Sequence, residues 1–339
     1  MSHVNGRAGT TAPDSVPDAL VALVDHPRLA RPGLDQLKRR GELVQCGRRS
    51  GLPSRPLLRL TVWMPTDAWQ IDVLDLAGYL RRLGAPVREP GRAALAELHE
   101  AHVRAFTFDN IDVLLGQHPG VSLDAVQEKF VGRGRGGYCF EHSTIFAAAL
   151  ERLGYRVRRH LGRVGDPDAG TQQGRTHMVV EVVLDGQRLL CDPGFGLSLL
   201  RPIPMTDDAE DDYLPGWRYQ LRRTEGGAWA LYRMRGEGWE LAHTTDELEV
   251  KPVDVVMGHH YTSTYPGSHF TTGFMVARHL PGGHVTVTHQ SLTIRTPGTP
   301  TEHRPLREGE IGEWLSTLEV HLGSEERTRL LEKVRDLSS

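Results

Sequence analysis

The chain has 339 residues, enough for one large domain or two to three small ones with a real core. Hydrophobic residues make up 39%, charged residues 24%, and the net charge is −3, a balance that argues against nucleic acid as an obligatory partner and against an acidic solvating role. No apolar run approaches the ~20 residues of a membrane span, the N-terminus lacks the apolar core of a signal peptide, and three cysteines cannot build a disulfide framework, so a cytoplasmic protein with free thiols is expected.

Residues 1–65 are rich in Pro, Gly, Arg and polar side chains, and are expected to carry little order beyond a short helix at 18–24. Met64 offers an alternative start of translation. A helical region follows over 66–154. Val73, Leu76, Ala77, Leu80 and Leu83 recur at helical spacing, 92–106 repeats the pattern, and Ser122 is placed to cap a third helix running to Phe130. Phe140, Ile145, Phe146, Ala149, Leu150 and Leu153 then lie along one stripe, and Gly154 stands at the stop position. Cys139 therefore falls at a helix start, just after a glycine-rich turn.

From about residue 155 the texture becomes β. Apolar runs at 179–184 and 188–191 flank Asp185-Gly186, a strong hairpin signal. Further strands are expected at 229–234, 273–280, 284–290 and 292–296, with Pro281-Gly282-Gly283 turning between two of them. Helices near 309–321 and 325–337 close the chain. Helices first and antiparallel strands after indicate an α+β fold with a barrel-like middle, divided at 155–265 and 266–339.

Three residues could carry chemistry. A lone buried Cys is most often a small hydrophobe, but Gly134, Gly136 and Gly137 let the chain before Cys139 turn sharply. The helix N-terminus there favours a thiolate, and Arg133 and Arg135 are expected to add positive charge. In a two-residue hairpin loop at Asp185-Gly186, Asp192 lies opposite Val179, and His177 shares that face of the sheet. An imidazole beside a carboxylate is fixed in tautomer and raised in basicity; the bland reading is a surface ion pair. Cys, His and Asp together are a set for acyl transfer through a thioester.

At these residues the sequence resembles a known family. Arg135-Gly136-Gly137-Tyr138-Cys139-Phe140-Glu141 resembles the nucleophile motif of the arylamine N-acetyltransferases. Arg175-Thr176-His177-Met178 is similar to the family's histidine segment, and Cys191-Asp192-Pro193-Gly194-Phe195-Gly196 to its Asp-Val-Gly-Phe-Gly segment. Phe108-Asp109-Asn110-Ile111-Asp112 resembles Phe-Glu-Asn-Leu-Asp, and His260-Tyr261-Thr262-Ser263-Thr264 resembles His-Tyr-Val-Ser-Thr. The blocks follow the family's order over roughly 69–320.

The resemblance implies a helical bundle carrying Cys139, an antiparallel β-barrel carrying His177 and Asp192, and a C-terminal α/β lid. It implies acetyl-CoA as donor and an arylamine, arylhydrazine or N-hydroxyarylamine as acceptor, with no metal. It places Phe108, Val164 and Phe195 around the acyl and acceptor pocket, and Thr176, Gly194, Gly196 and His260 near the pantetheine arm or cleft entrance. Three positions depart from the pattern: Asp109 for Glu, Ser143-Thr144 for Asn-Gly, and Pro193 for Val, which removes a backbone N–H. These departures leave open a related amide synthase that takes its acyl chain from an acyl carrier protein, and a thiol amide hydrolase. The seven histidines from His259 to His303 fit no zinc template and read mainly as surface or strand residues. Cys191 should point into the core, Cys46 has no evident partner, and Trp217, Trp229 and Trp239 read as barrel core or rim.

Overall fold

A computed structural model describes residues 67–165, 173–307 and 309–337. The expected helix at 18–24, Cys46 and Met64 lie outside the described residues.

The N-terminal part is helical. Helix α1 (Leu76–Leu83) starts where the Asp75 carboxylate accepts from the Gly78 N–H at 2.9 Å, and ends at Gly84, whose φ of 65° suits a residue without Cβ. After α2 (Arg92–Ala105) come a two-residue strand, β1 (Phe108–Asp109), and the short helices α3 (Ile111–Leu114) and α4 (Leu123–Gln127). Ser122 occupies the N-cap position of α4, yet its hydroxyl makes no bond to the helix amides. Helix α5 (Cys139–Arg152) is buried from Cys139 to Leu150 because it runs between the other helices and the barrel, so apolar residues line more than one of its faces.

Eight antiparallel strands form the middle: β2 (Arg156–Val164), β3 (His177–Leu184), β4 (Gln187–Cys191), β5 (Ile203–Pro204), β6 (Ala209–Leu214), β7 (Trp217–Arg223), β8 (Trp229–Arg235) and β9 (Gly238–Thr245). Their order is β5-β4-β3-β2-β9-β8-β7-β6, and β5 meets β6, which nearly closes the barrel. Val179, Leu190, Leu199, Tyr219, Leu221, Trp229 and Leu231 fill it. Asp185 and Gly186 both have positive φ, 50° and 76°, as the tight hairpin requires; Leu184 faces Gln187 and Val180 faces Cys191.

Helix α6 (Pro252–Thr264) was not anticipated. Val253, Val256, Met257 and Tyr261 are exposed on it, so no apolar stripe marks it, although Pro252 at its first position suits a helix start. After α7 (His269–Thr272), strands β10 (Met275–Leu280), β11 (Gly283–Thr288), β12 (Ser291–Arg295) and β13 (Glu302–Pro305) form a second sheet in the order β1-β10-β11-β12-β13. Helices α8 (Glu310–Thr317) and α9 (Ser324–Leu337) pack on it through Leu315, Leu318, Leu330 and Val334. The architecture is α+β: N-terminal helices, a near-closed antiparallel barrel, and a C-terminal sheet with helices. β1 stitches them together, pairing with Val276 and Ala277 on one side and bridging Gly137 on the other.

Candidate active site

The turn before Cys139 is shaped by contacts only glycine permits. A Cβ on Gly136 would lie 1.8 Å from the Thr107 carbonyl oxygen, and one on Gly137 would lie 2.1 Å from the Glu141 carboxylate. Glu141 uses that space to accept from the Tyr138 N–H at 3.0 Å, fastening the first turn of α5. It is itself anchored by Lys129 Nζ at 2.8 Å, and Lys129 also pairs with Asp112 at 3.0 Å, all three groups being buried. Burial alone would raise the Glu141 pKa; the Lys129 charge and the hydrogen bond from His118 outweigh it and hold the carboxyl well below its usual range. Arg135 is buried and paired with Asp112 at 2.7 Å and Glu326 at 3.1 Å. The positive charge expected from Arg135 is thus largely met by these two carboxylates.

Cys139 occupies the first position of α5 and is 3% exposed. Its thiol donates to the Thr176 carbonyl at 3.4 Å. The next residue, His177, opens β3, and its Nε2 meets Asp192 Oδ1 at 3.0 Å. The hairpin register delivers this pair, since His177 begins β3 and Asp192 directly follows β4 at the same end of the hairpin. With Nε2 engaged, Nδ1 is the ring nitrogen left to face a proton donor or acceptor such as the Cys139 sulfur. Burial would lower the His177 pKa; the Asp192 carboxylate and Cys139 outweigh it and push it up to about 10. Asp192, also buried, is held well below the usual carboxylate range by the His177 and His243 partners that overcome its desolvation.

His243 escaped the sequence reading. Its Nε2 meets the second oxygen of Asp192 at 3.1 Å, it is fully buried, and its ring lies 4.7 Å from that of His177. It sits on β9 beside a bulge, where its direction depends on a register no local motif reveals. His177, Asp192 and His243 bring their ligand atoms within 4.8 Å of one another, a spacing a divalent cation could use. The same nitrogens and oxygens are already joined by hydrogen bonds, so a cation there would have to break them.

The other candidate residues fall as follows. Gly194 packs against the nucleophile: a Cβ on it would lie 2.8 Å from Cys139 Cα. The Phe195 ring is 5.1 Å from His177, and Phe108 stacks 6.4 Å from His142, one turn beyond Cys139. Gly196, with φ of 85°, would bring a Cβ to 3.4 Å from the Phe108 ring. Thr176 lies at the site through its carbonyl. Val164 stands at the end of β2, 43% exposed, paired with His243. His260 faces outward on α6, whereas its neighbour His259 hydrogen-bonds the Tyr138 hydroxyl. The reading of the late histidines as mainly surface or strand residues fits His260 and His269, which are exposed, and His279, His284 and His303, which lie in strands. His259 differs, being helical and packed on the turn before Cys139, and the strand residues His279 and His284 are buried edge to face, ring centres 4.6 Å apart, because the second sheet covers the loop after Asp192. Cys191 is buried in the core, where burial pushes its thiol up beyond any neutral-pH reactivity.

An N-acetyltransferase family model matches residues 93–324. The arylamine N-acetyltransferase / N-hydroxyarylamine O-acetyltransferase of Salmonella typhimurium is 34% identical over 230 residues, 67% of this chain and 81% of that one. The arylamine N-acetyltransferase structure from Mycobacterium abscessus superposes with a TM-score of 0.73 at 32% identity, covering 79% of this chain and 97% of that one. The Mycobacterium marinum enzyme in complex with CoA gives 0.70 at 31% identity over 78% and 99% of the two chains. A helix-borne cysteine, a barrel-borne His–Asp pair and these likenesses agree, and the chain is a member of the arylamine N-acetyltransferase family.

Proposed function

We propose that the protein transfers an acetyl group from acetyl-CoA to an arylamine, arylhydrazine or N-hydroxyarylamine through a thioester on Cys139. The observation that carries this reading is the buried His177–Asp192 hydrogen bond, set beside a buried Cys139 at the start of α5 whose thiol bonds the carbonyl of the residue before His177. His177 takes the thiol proton, and the sulfur attacks the acetyl carbonyl. The carbon–sulfur bond to CoA breaks, and the departing thiolate takes the proton from His177. The acceptor nitrogen or oxygen then attacks the Cys139 thioester, gives its proton to His177, and leaves as amide or ester while the Cys139 thiolate is regenerated. Asp192 keeps the imidazole oriented and offsets its charge through both half-reactions.

Phe108 and Phe195 would form the apolar walls of the acyl and acceptor site, with Val164 at its margin. Thr176, Gly194, Gly196 and His260 would border the pantetheine arm. The relative crystallised with CoA supports a CoA thioester as donor. In this reading residues 66–154 carry the nucleophile, 155–265 its base, and 266–339 form a lid, in a cytoplasmic enzyme; among the described residues no helix is long and apolar enough to cross a membrane.

The test is intact mass spectrometry after mixing with acetyl-CoA, followed by an arylhydrazine. The expected result is one acetyl group on Cys139 that disappears on adding the hydrazine. No adduct, or the same adduct in Cys139→Ala, would remove the basis of the proposal.

A further inference from the structure

A second cavity of about 390 Å3 lies between the barrel and the C-terminal sheet, lined by Trp217, Arg218, Tyr219, Arg233, Arg235 and Arg295 among others. Its walls are tied by a bond from the Gly298 N–H to the Pro215 carbonyl at 2.8 Å, so the cavity is framed by backbone and not only by mobile side chains. Four guanidinium groups meet here. Arg218 is matched by Glu210 at 2.5 Å. Arg233 and Arg235 share one carboxylate, Glu240, at 3.0 and 2.6 Å. Arg295 makes no ion pair among the described residues; its single side-chain hydrogen bond is a long one, 3.5 Å, to the Thr286 hydroxyl.

Bringing these guanidinium groups together is costly. Burial, with Arg235 and Arg233 close by, pushes the Arg295 guanidinium down to about 10, well below its ordinary value. Arginine clusters that outnumber their carboxylates are the usual protein answer to a phosphate or carboxylate, because each guanidinium presents a planar fork of donors to two oxygens. Trp217 and Tyr219 add aromatic surface for whatever bears the anion. The cavity also abuts the catalytic wall: Arg233 lies over the Phe195 ring at 5.8 Å, and Phe195 packs on His177 at 5.1 Å.

We infer that Arg233, Arg235 and Arg295 form an oxyanion-binding site, separate from Cys139 and shielded from it by Phe195, that takes a phosphate group. The phosphate could belong to a free phosphorylated small molecule or to an acyl-CoA donor. Both present the same chemistry to the cavity.

The experiment titrates inorganic phosphate into the full chain at constant ionic strength set with chloride, following Tm and tryptophan fluorescence. The expected result is a saturable rise in Tm and a fluorescence change, with affinity weakened about tenfold or more in Arg295→Gln. Arg235→Gln, at an exposed strand end, serves as a second variant should the first fold poorly. A response no larger than that of chloride, or equal in the wild type and both variants, would overturn the site. These measurements need no turnover, so they stand or fall apart from the acetyl-transfer reading. A second arm, which rests on that reading, compares KM for acetyl-CoA and for S-acetylpantetheine, which lacks the phosphates. A rise in Arg295→Gln for acetyl-CoA alone assigns the site to the donor; unchanged KM values beside a lost phosphate response assign it to a separate phosphorylated ligand.

Discussion

Replacing His243 probes Asp192, the carboxylate proposed to serve the catalytic base, without touching the proposed reacting atoms. Asp192 is fully buried, and each of its oxygens accepts from one imidazole: Oδ1 from His177 at 3.0 Å, Oδ2 from His243 at 3.1 Å. Burial, partly offset by the bond to Asp192, lowers the His243 pKa, so it acts as a neutral donor through Nε2. Its Nδ1 is buried without a partner, which fixes that tautomer. His243→Ala leaves Oδ2 bare in a dry interior and frees the carboxylate to turn away from His177. A hydrogen bond to a charged group contributes about 1.5–3 kcal/mol. Expressed in stability, at ~2–4 °C per kcal/mol for a fold of this size, the loss lowers Tm by roughly 3–12 °C. Expressed in the transition state, where the imidazolium most needs its carboxylate, it lowers kcat/KM by about 10- to 100-fold. His243→Gln, whose side-chain amide can donate to the same oxygen, should recover most of both. The assay is CoA release with an arylhydrazine across pH 6–9, beside thermal melts. A kcat/KM for His243→Ala within twofold of wild type, or a Gln variant no better than Ala, would refute the claim that His243 positions Asp192.

Lys129→Met leaves the buried Glu141 without its lysine, while Asp112 keeps Arg135 at 2.7 Å; a cost of about 3–5 kcal/mol is expected, seen as a fall in urea midpoint. Gly194→Ala forces a Cβ to within 2.8 Å of Cys139 Cα and 2.9 Å of His142 Cβ, so the nucleophile must shift; single-turnover acetylation should slow by ~100-fold with little change in circular dichroism. Burial keeps His99 and His142 neutral with pKa values lowered to about 4, and His284 to about 3. The unfolded chain binds protons at these residues from pH ~6.5 downward while the fold does not, so stability is lost as pH falls from there toward 4, at up to ~4 kcal/mol per pH unit for three protons. A Tm unchanged between pH 7 and 5 would contradict this. His177 has the opposite sign: its pKa is raised, so its contribution is complete below the unfolded value of ~6.5 and fades as pH rises through about 10. The Tm gap between wild type and His177→Gln should therefore narrow from pH 7 to pH 10.

What could be read in advance was local or carried by a tight turn. Asp185-Gly186 sets the hairpin, and the hairpin alone brings His177 and Asp192 to one face. The glycines at 136 and 137 announce close approach, and the structure shows what approaches: the Thr107 carbonyl and the Glu141 carboxylate. What could not be read depends on chain segments far apart. Lys129 looks like an ordinary helix lysine until Asp112 and Glu141 surround it. β6 carries Ala209-Glu210-Asp211-Asp212-Tyr213-Leu214, largely open to solvent, and so lacks the alternation that marks a half-buried strand. α6 buries Val255 but keeps Val253, Val256, Met257 and Tyr261 outside, and so lacks a helical stripe.

His243 and Arg295 make the same point about function. Each sits in a strand whose sequence is unremarkable, and each acquires a role through a neighbour more than 50 residues away: Asp192 for one, Arg233 and Arg235 for the other. The family motifs single out the three groups proposed to handle the acyl chemistry, because that chemistry demands particular residue types at a helix start and a strand pair. Support for those groups can come from any side chain able to donate a hydrogen bond from the correct direction. The direction is set by the barrel's closure and by the bulge in β9, so the same triad can be braced differently in chains that share every motif. Variation among relatives in stability and pH response should accordingly track the residue facing the second oxygen of the catalytic aspartate more closely than the triad itself.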